Sequence, residues 1–314
     1  MRVTTSSFPN VLRYQLARLS TQQARLQTQA GTGQRFSVAS EDPRAMRKVL
    51  DLQGQMKNLG QYERNIATLK DGLEASYAAM TGVKTVSDRA TEIATRADGL
   101  RTPEELRALS VEVDQLIERS LQLANTRHQT SYLFAGTKNT EPPFVEERNA
   151  DGRITKVNYV GTANVPQSEI AEGITVTTSV PGENETGVET RGLFKESRSG
   201  ADLFGHLIAL RDSLEKADRD AVTDIRERDL PNLLNDEDNI LFHYGNVGAI
   251  QTRLETASSI ADRRAASLEG LISNESDADL AETLVALSEI QNAYTAALKT
   301  GGTILNQSLL DYIR

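Results

Sequence analysis

The sequence predicts a mainly α protein, an elongated rod of long antiparallel helices. Its N- and C-terminal helices pair like a coiled coil, and one small β-rich insertion interrupts the rod. Three observations carry this. Only 5% of the 314 residues are aromatic and none is tryptophan, while Ala, Leu, Glu, Gln, Arg and Ser dominate as they do in extended helical proteins. Apolar residues recur at helical spacing almost to both ends of the chain. Proline, glycine and β-branched residues concentrate in one stretch, 138–200.

The N-terminal segment places Leu12, Leu16, Leu19, Gln23, Leu26, Ala30 and Gly33 at alternating steps of four and three. That is the heptad spacing that keeps a seam turned to a partner helix. Next comes "SEDPRAM", where Asp42 caps free amides and Pro43 takes the first helical position. A long amphipathic helix follows from Met46 to Ile93, either unbroken or divided near Gly54 or Gly60. "LRTPEEL" repeats the cap with Thr102 and Pro103 and opens a helix expected to run to about Leu133.

Residues 138–200 hold Pro142, Pro143, Pro166, Pro181 and the turn signal Asp151-Gly152 between short runs of Val, Ile, Thr and Tyr, which predicts short strands. Helical pattern returns at Leu203 to about Leu214 and at Val247 to Ile272, with "DLPNLLNDEDNILFHYGN" read as irregular between them. The C-terminal segment then repeats the N-terminal spacing at Leu280, Leu284, Leu287, Gln291, Tyr294, Leu298, Gly301 and Leu305. The expected domains are a terminal helical assembly domain (1–40 with 275–314), a helical rod (41–137 with 201–274) and the β insertion (138–200).

Two matched seams at the chain ends predict that they pair with each other. The last segment is apolar beyond its seam, at Val285, Ile290, Ala293, Ala297, Ile304, Leu309 and Ile313, and would reach roughly 50 Å at about 1.5 Å per residue. So wide a stripe calls for further cover, from other copies of the chain or from an intramolecular bundle that buries both termini. The seam residues are therefore candidate assembly residues: Leu12, Leu16, Leu19, Leu26, Leu280, Leu284, Leu287, Tyr294, Leu298, Leu305, Leu309 and Tyr312. Gly33, which permits positive φ, with Asp42 and Pro43, marks a candidate hinge between terminal helix and body.

The totals narrow the function classes. Net charge is −9, which argues against nucleic acid as a partner and leaves no broad attraction to anionic lipid. No stretch reaches the roughly 20 apolar residues of a membrane helix, and "MRVTTSSFPNVLRYQLARLS" lacks a secretory signal core. With no cysteine there is no disulfide, thiolate chemistry or Cys-containing zinc site. His128, His206 and His243 are far apart without a second ligand at metal spacing and are expected on helix surfaces or interfaces. "NESDADLAE" and "NDEDNILFHYG" fail the calcium-loop pattern, and neither a phosphate loop nor a nucleophile elbow occurs. Glu146 and Glu147 read as solvated surface and Gly136 as a turn at a helix end. No catalytic group, cofactor or metal is expected.

"LSTQQARLQTQAGTGQRFSVASEDPRAM" resembles the N-terminal signature of flagellin-type axial proteins, and "QNAYTAALKTGGTILNQSLLDYIR" resembles their C-terminal helix. Within that superfamily, "SYLFAGTKNTEPPFV" and "DLFGHLIALRDSLEKAD" are more similar to the hook-filament junction family, hook-associated protein 3, than to flagellin. Arg314 after the usual ending and the acidic stretch Asp236 to Asp238 depart from the pattern.

The resemblance implies an extracellular structural subunit of the bacterial flagellum, exported unfolded through the type III channel without a cleaved signal peptide. Its terminal helices are disordered in the monomer and order in a ring or tube. It implies as partners other copies of itself, hook-associated protein 1, flagellin and an export chaperone. The chaperone would cover Leu298, Ile304, Leu305, Leu309, Leu310 and Ile313. Flagellin itself, and an intracellular coiled-coil scaffold, are the rival expectations.

Overall fold

The computed structural model describes the backbone of residues 7–98, 100–188 and 190–313, and side chains of that range from 10 to 303. Helix α1 spans Ser7–Thr32, α2 Pro43–Arg96 and α3 Pro103–Ala124. Among the described residues nine short strands follow before α4 (Leu203–Lys216), α5 (Arg219–Asp224), a π-helical turn (Ile225–Asp229), α6 (Leu230–Ser276) and α7 (Leu280–Ile313). The protein is mainly α, as expected, and divides into two compact units, 1–58 with 263–314 and 59–262.

The helix starts follow from their caps. Asp42 Oδ1 accepts from the Ala45 N–H at 3.0 Å and Pro43 opens α2. Thr102 and Glu105 form a reciprocal capping box ahead of Pro103. Helix α2 runs unbroken through Gly54 and Gly60 for 54 residues, about 81 Å at about 1.5 Å per residue.

Helix α3 ends at Ala124, well short of the expected Leu133. Asn125 stops it by pairing with the main chain of Phe144. Its Nδ2 donates to the Phe144 carbonyl at 2.9 Å and its Oδ1 accepts the Phe144 N–H at 3.0 Å. The chain then turns through a small antiparallel hairpin, β1 (Arg127–His128) with β2 (Ser131–Tyr132). Gly136 is therefore not a helix end. It holds φ at +63° where the Thr162 and Asn164 carbonyls approach its Cα too closely for any Cβ.

The insertion is a set of small sheets around a phenylalanine cluster. β3 (Phe144–Arg148) pairs antiparallel with β4 (Ile154–Tyr159) across the expected turn at Asp151-Gly152, and β5 (Ser168–Ala171) with β6 (Ile174–Val176). β7 (Glu183–Asn184) runs parallel to β8 (Lys195–Glu196), which pairs antiparallel with β9 (Ala201–Asp202). Phe134, Phe144, Phe194 and Phe204 pack with ring centroids 5.0–5.5 Å apart, so four of the seven phenylalanines gather at one point. The Tyr159 hydroxyl donates to the Phe134 carbonyl at 2.9 Å. Burial raises that phenol to about 12, so it stays a donor.

The larger unit holds one continuous core that joins this cluster to α2, α3, α4 and the first part of α6 through Met80, Ile93, Val113, Ile117, Leu207, Leu214 and Ile240. Arg211, only 4% exposed, ties α4 to the insertion: it donates to the Ile154 carbonyl at 2.6 Å and to Asp114 at 3.1 Å.

The stretch read as irregular, 229–246, is helical. Pro231 has no N–H and its ring crowds the preceding turn. The π turn Ile225–Asp229 lies just ahead of it, where the Leu230 N–H reaches back to the Ile225 carbonyl and accommodates the proline without ending the helix. Asp236, Asn239 and His243 follow at helical spacing and are buried. Asp236 accepts the Asp202 N–H and faces His206 Nδ1, both at 2.8 Å, while Asn239 donates to the Gly192 and Leu193 carbonyls at 2.9 Å. His206, half-buried, and His243, buried, thus sit where elements meet and not on a free helix surface. With Asp236 and Asn239 they fasten α6 to the loop and strands of the insertion.

The smaller unit holds α1, α7, the start of α2 and the end of α6, with a modest core of Phe36, Ala45 and Val49 against Met46 and Ile272.

Candidate assembly interface

Helices α1 and α7 pair antiparallel, as the matched ends predicted. From 12 to 26 on α1 only Leu12, Leu16, Leu19, Gln23 and Leu26 are half-buried, and every residue between them is exposed. The predicted seam of α1 is therefore the seam observed. Small residues set how closely the helices meet: Gly301 sits against Leu12, and a Cβ there would overlap the leucine methyl groups.

On α7 the covered positions are Thr283, Ala286, Leu287, Ile290, Tyr294, Ala297 and Gly301. Leu287, Tyr294 and Gly301 match the expected seam. Leu280, Leu284 and Leu298 do not, and stay 48%, 54% and 48% exposed. The reason is geometric. The stripe of α7 is wide enough to offer α1 two adjacent seams that share Leu287, Tyr294 and Gly301, and the one that adds Thr283, Ile290 and Ala297 is the one α1 covers. A leucine stripe is left uncovered beside it. The side chains of Ile304, Leu305, Leu309, Leu310, Tyr312 and Ile313 lie outside the described residues.

The link from α1 to α2 crosses the link from α6 to α7, and the two are bonded to each other. The Arg35 N–H donates to the Ser276 carbonyl at 2.7 Å and the Ala278 N–H to the Gly33 carbonyl at 2.8 Å, around an isolated bridge between Gln34 and Asp277. Gly33 takes φ +72°, a left-handed conformation that glycine adopts without strain. Charged side chains frame the joint: Arg25 lies 3.6 Å from Glu41, Arg35 lies 3.6 Å from Asp42, and Lys48 pairs with Glu275. Asp279 starts α7 by accepting the Ala281 and Glu282 N–H groups. Glu275, Asp277 and Asp279 of "NESDADLAE" therefore serve the joint and the cap.

Elsewhere, an open cleft of about 510 Å³ beside the insertion is lined by Lys156, Asn158, Tyr159, Glu183, Glu185 and Lys195. Lys195 lies 2.8 Å from both glutamates. Glu146 and Glu147 lie on β3, where Glu146 is 3.5 Å from Arg148. Among the described residues no three His, Asp or Glu side chains are placed to hold a metal, and no helix is long and apolar enough to cross a membrane.

Residues 3–139 match the bacterial flagellin N-terminal helical region. Among curated proteins none matches the sequence significantly. Among solved structures, one described as a flagellar hook-associated protein from Vibrio parahaemolyticus superposes with a TM-score of 0.62 at 18% identity, covering 76% of this chain and all of that one. FlgL from Bacillus cereus gives 0.54 at 21% identity, over 71% of this chain and 99% of that one. The flagellar hook associated protein-3 of Legionella pneumophila gives 0.57 at 15% identity, over 70% and 98%. At these identities the likeness is one of fold, and the flagellin match is one of sequence. The chain therefore carries the bacterial flagellin N-terminal helical region on the fold of the solved flagellar hook-associated proteins.

Proposed function

We propose that this protein is a structural, non-enzymatic subunit of the bacterial flagellum. It polymerises at the hook-filament junction and joins hook-associated protein 1 to the flagellin filament. The observation that carries the reading is the terminal helix pair, which closes one seam within the chain and leaves Leu280, Leu284 and Leu298 in water. Apolar stripes of this kind mark contact surfaces. The fold shared with hook-associated proteins supplies the context.

In this reading α1 and α7 are flexible in the free monomer and become the inner wall of a ring or tube. The joint at Gly33, Asp42 and Pro43 lets the pair swing as one piece, because its two strands are bonded to each other. Before export through the type III channel, a chaperone covers Leu298 to Ile313.

A second reading, the filament subunit flagellin, draws support from the match over residues 3–139. Deleting the gene and viewing cells by electron microscopy, with the medium assayed for flagellin, separates them. Bare hooks with flagellin spilling into the medium are expected of a lost adaptor. Bare hooks without secreted filament subunit point to flagellin, and normal flagella refute both.

A further inference from the structure

Two sheets of the insertion end in edges that no strand covers. β3 with β4, and β7 with β8 and β9, form separate sheets, so β4 and β7 are each paired on one side only among the described residues. The register shows which main-chain groups are left over. The Val160 N–H donates to the Pro143 carbonyl at 2.9 Å, and Asn158 and Lys156 lie opposite Val145 and Glu147 in the same phase. In an antiparallel pair every second residue bonds to the neighbouring strand, so the main chain of Val157 and Tyr159 turns to the open edge. On β7 the Gly182 and Asn184 carbonyls accept from the Phe194 and Ser197 N–H groups at 2.9 and 3.2 Å. The main chain of Glu183, between them, turns outward in the same way.

Both edges line the open cleft of about 510 Å³. Residues 156–159 and 183–186 contribute to it without a gap. Side chains alternate between the two faces of a strand, so an unbroken run marks an edge and not a face. Beside the cleft lies a recess of about 160 Å³, which shares Lys156, Val157, Glu183 and Lys195 with it and is lined further by Phe144, Phe194 and Phe204. Cleft and recess together carry three carboxylates, Glu183, Glu185 and Asp202, against Lys156 and Lys195. Burial outweighs Lys195 and raises the pKa of Glu183, so that carboxylate is short of positive charge.

We propose that this cleft docks an extended segment of a partner protein, which adds as a strand to the open edge of β4, with an apolar side chain in the recess at Phe144 and Phe204 and a basic one beside Glu183 and Glu185. Main-chain bonds to Val157 and Tyr159 give affinity, and alternate side chains of the added strand, which share one face, give selectivity. The surface belongs to the larger unit and does not depend on the terminal helices.

The probe is a synthetic peptide as long as β4, six residues, with leucine fourth, lysine second and sixth, and threonine elsewhere, so that leucine and both lysines share one face. It is titrated into the full chain while exchange of the backbone amides is followed by NMR. Binding is expected to slow exchange of the Val157 and Tyr159 amides about tenfold or more. Replacing both lysines by glutamate is expected to weaken binding about tenfold, and methylating the main-chain nitrogens of the peptide to abolish it. Glu185→Gln alters an exposed side chain and, once checked for wild-type circular dichroism, should reproduce part of the charge effect; the peptide series itself needs no variant to fold. A peptide that binds without protecting Val157 and Tyr159 overturns strand addition, and affinity indifferent to its charge overturns the basic segment. No binding at about 1 mM peptide overturns the docking surface and leaves the function proposed above standing. Val157 and Tyr159 amides that become protected in the chain alone as its concentration rises assign the edge to a second copy and overturn the partner segment.

Discussion

His243 allows a test in which the structure sets both the sign and the size of the effect. Its imidazole is 1% exposed, Nε2 lies 3.2 Å from the Gly192 carbonyl and donates to it, and Nδ1 is without a partner. Burial holds its pKa at about 4, down from an ordinary 6.5, with the Gly192 bond offsetting part of the shift. The folded state keeps this group neutral while the unfolded chain takes up a proton. Acidification therefore costs stability between pH 6.5 and about 4, and the group contributes no pH dependence above that window. From those two values the loss is about 2 kcal/mol at pH 5 and about 2–3 kcal/mol at pH 4.5.

His206 works in the opposite direction. Burial lowers its pKa, but the Asp236 carboxylate outweighs burial and the net shift is upward. Its stabilisation is complete below the ordinary 6.5 and is lost as pH rises through the raised value. Comparing wild type with His243→Gln in urea titrations followed by circular dichroism cancels His206 and every other group common to both. Glutamine keeps a donor near Gly192 but packs less well, so the variant is expected to be about 1–2 kcal/mol less stable at pH 7.5. The gap should close on acidification and reverse by pH 4.5. A gap that stays constant across that range refutes the assignment of a buried, neutral His243.

Further predictions concern other parts of the chain. Gly136→Ala puts a Cβ against the Thr162 and Asn164 carbonyls at φ +63° and is expected to cost at least about 3 kcal/mol, read as a loss of thermal stability; an unchanged Tm refutes the close approach. Leu298→Asp alters a residue that is exposed in the chain, so it should leave the melting curve intact and abolish flagellar assembly, whereas complemented cells with normal flagella would sink the exposed-stripe argument. Gly245→Ala adds a methyl group on α6 with nothing within 4 Å and should stabilise by about 0.5–1 kcal/mol, measurable in the same urea titrations; a destabilised variant would mean that the helix face is covered.

What was legible in the sequence was local. The caps at Asp42 and Thr102 depend on a few neighbouring residues, and both helices begin where those residues say. The α1 seam was legible because a single narrow stripe admits one orientation. The turn at Asp151-Gly152 and the strands beside it follow from backbone preference alone. Where a pattern admitted two answers, the sequence did not choose. Helix α7 has two adjacent apolar seams, and only its packing on α1 selects the one bearing Thr283, Ile290 and Ala297 over the one bearing Leu280, Leu284 and Leu298.

The stretch 229–246 shows the limit most clearly. Pro231 and a run of polar residues spell a loop by local preference, yet the helix continues through them. Asp236, Asn239 and His243 are buried because their partners are the Asp202 amide, His206 and the Gly192 and Leu193 carbonyls, roughly 30 to 50 residues away. A polar side chain enters a core only where a partner replaces water. The sequence by itself thus determined the helices that open at Pro43 and Pro103 and the matched ends, because those rest on neighbours along the chain. Which polar residues go inside, where α3 stops, and which leucines of α7 remain in water were decided by tertiary structure, because each depends on a hydrogen bond or a close contact from a distant segment.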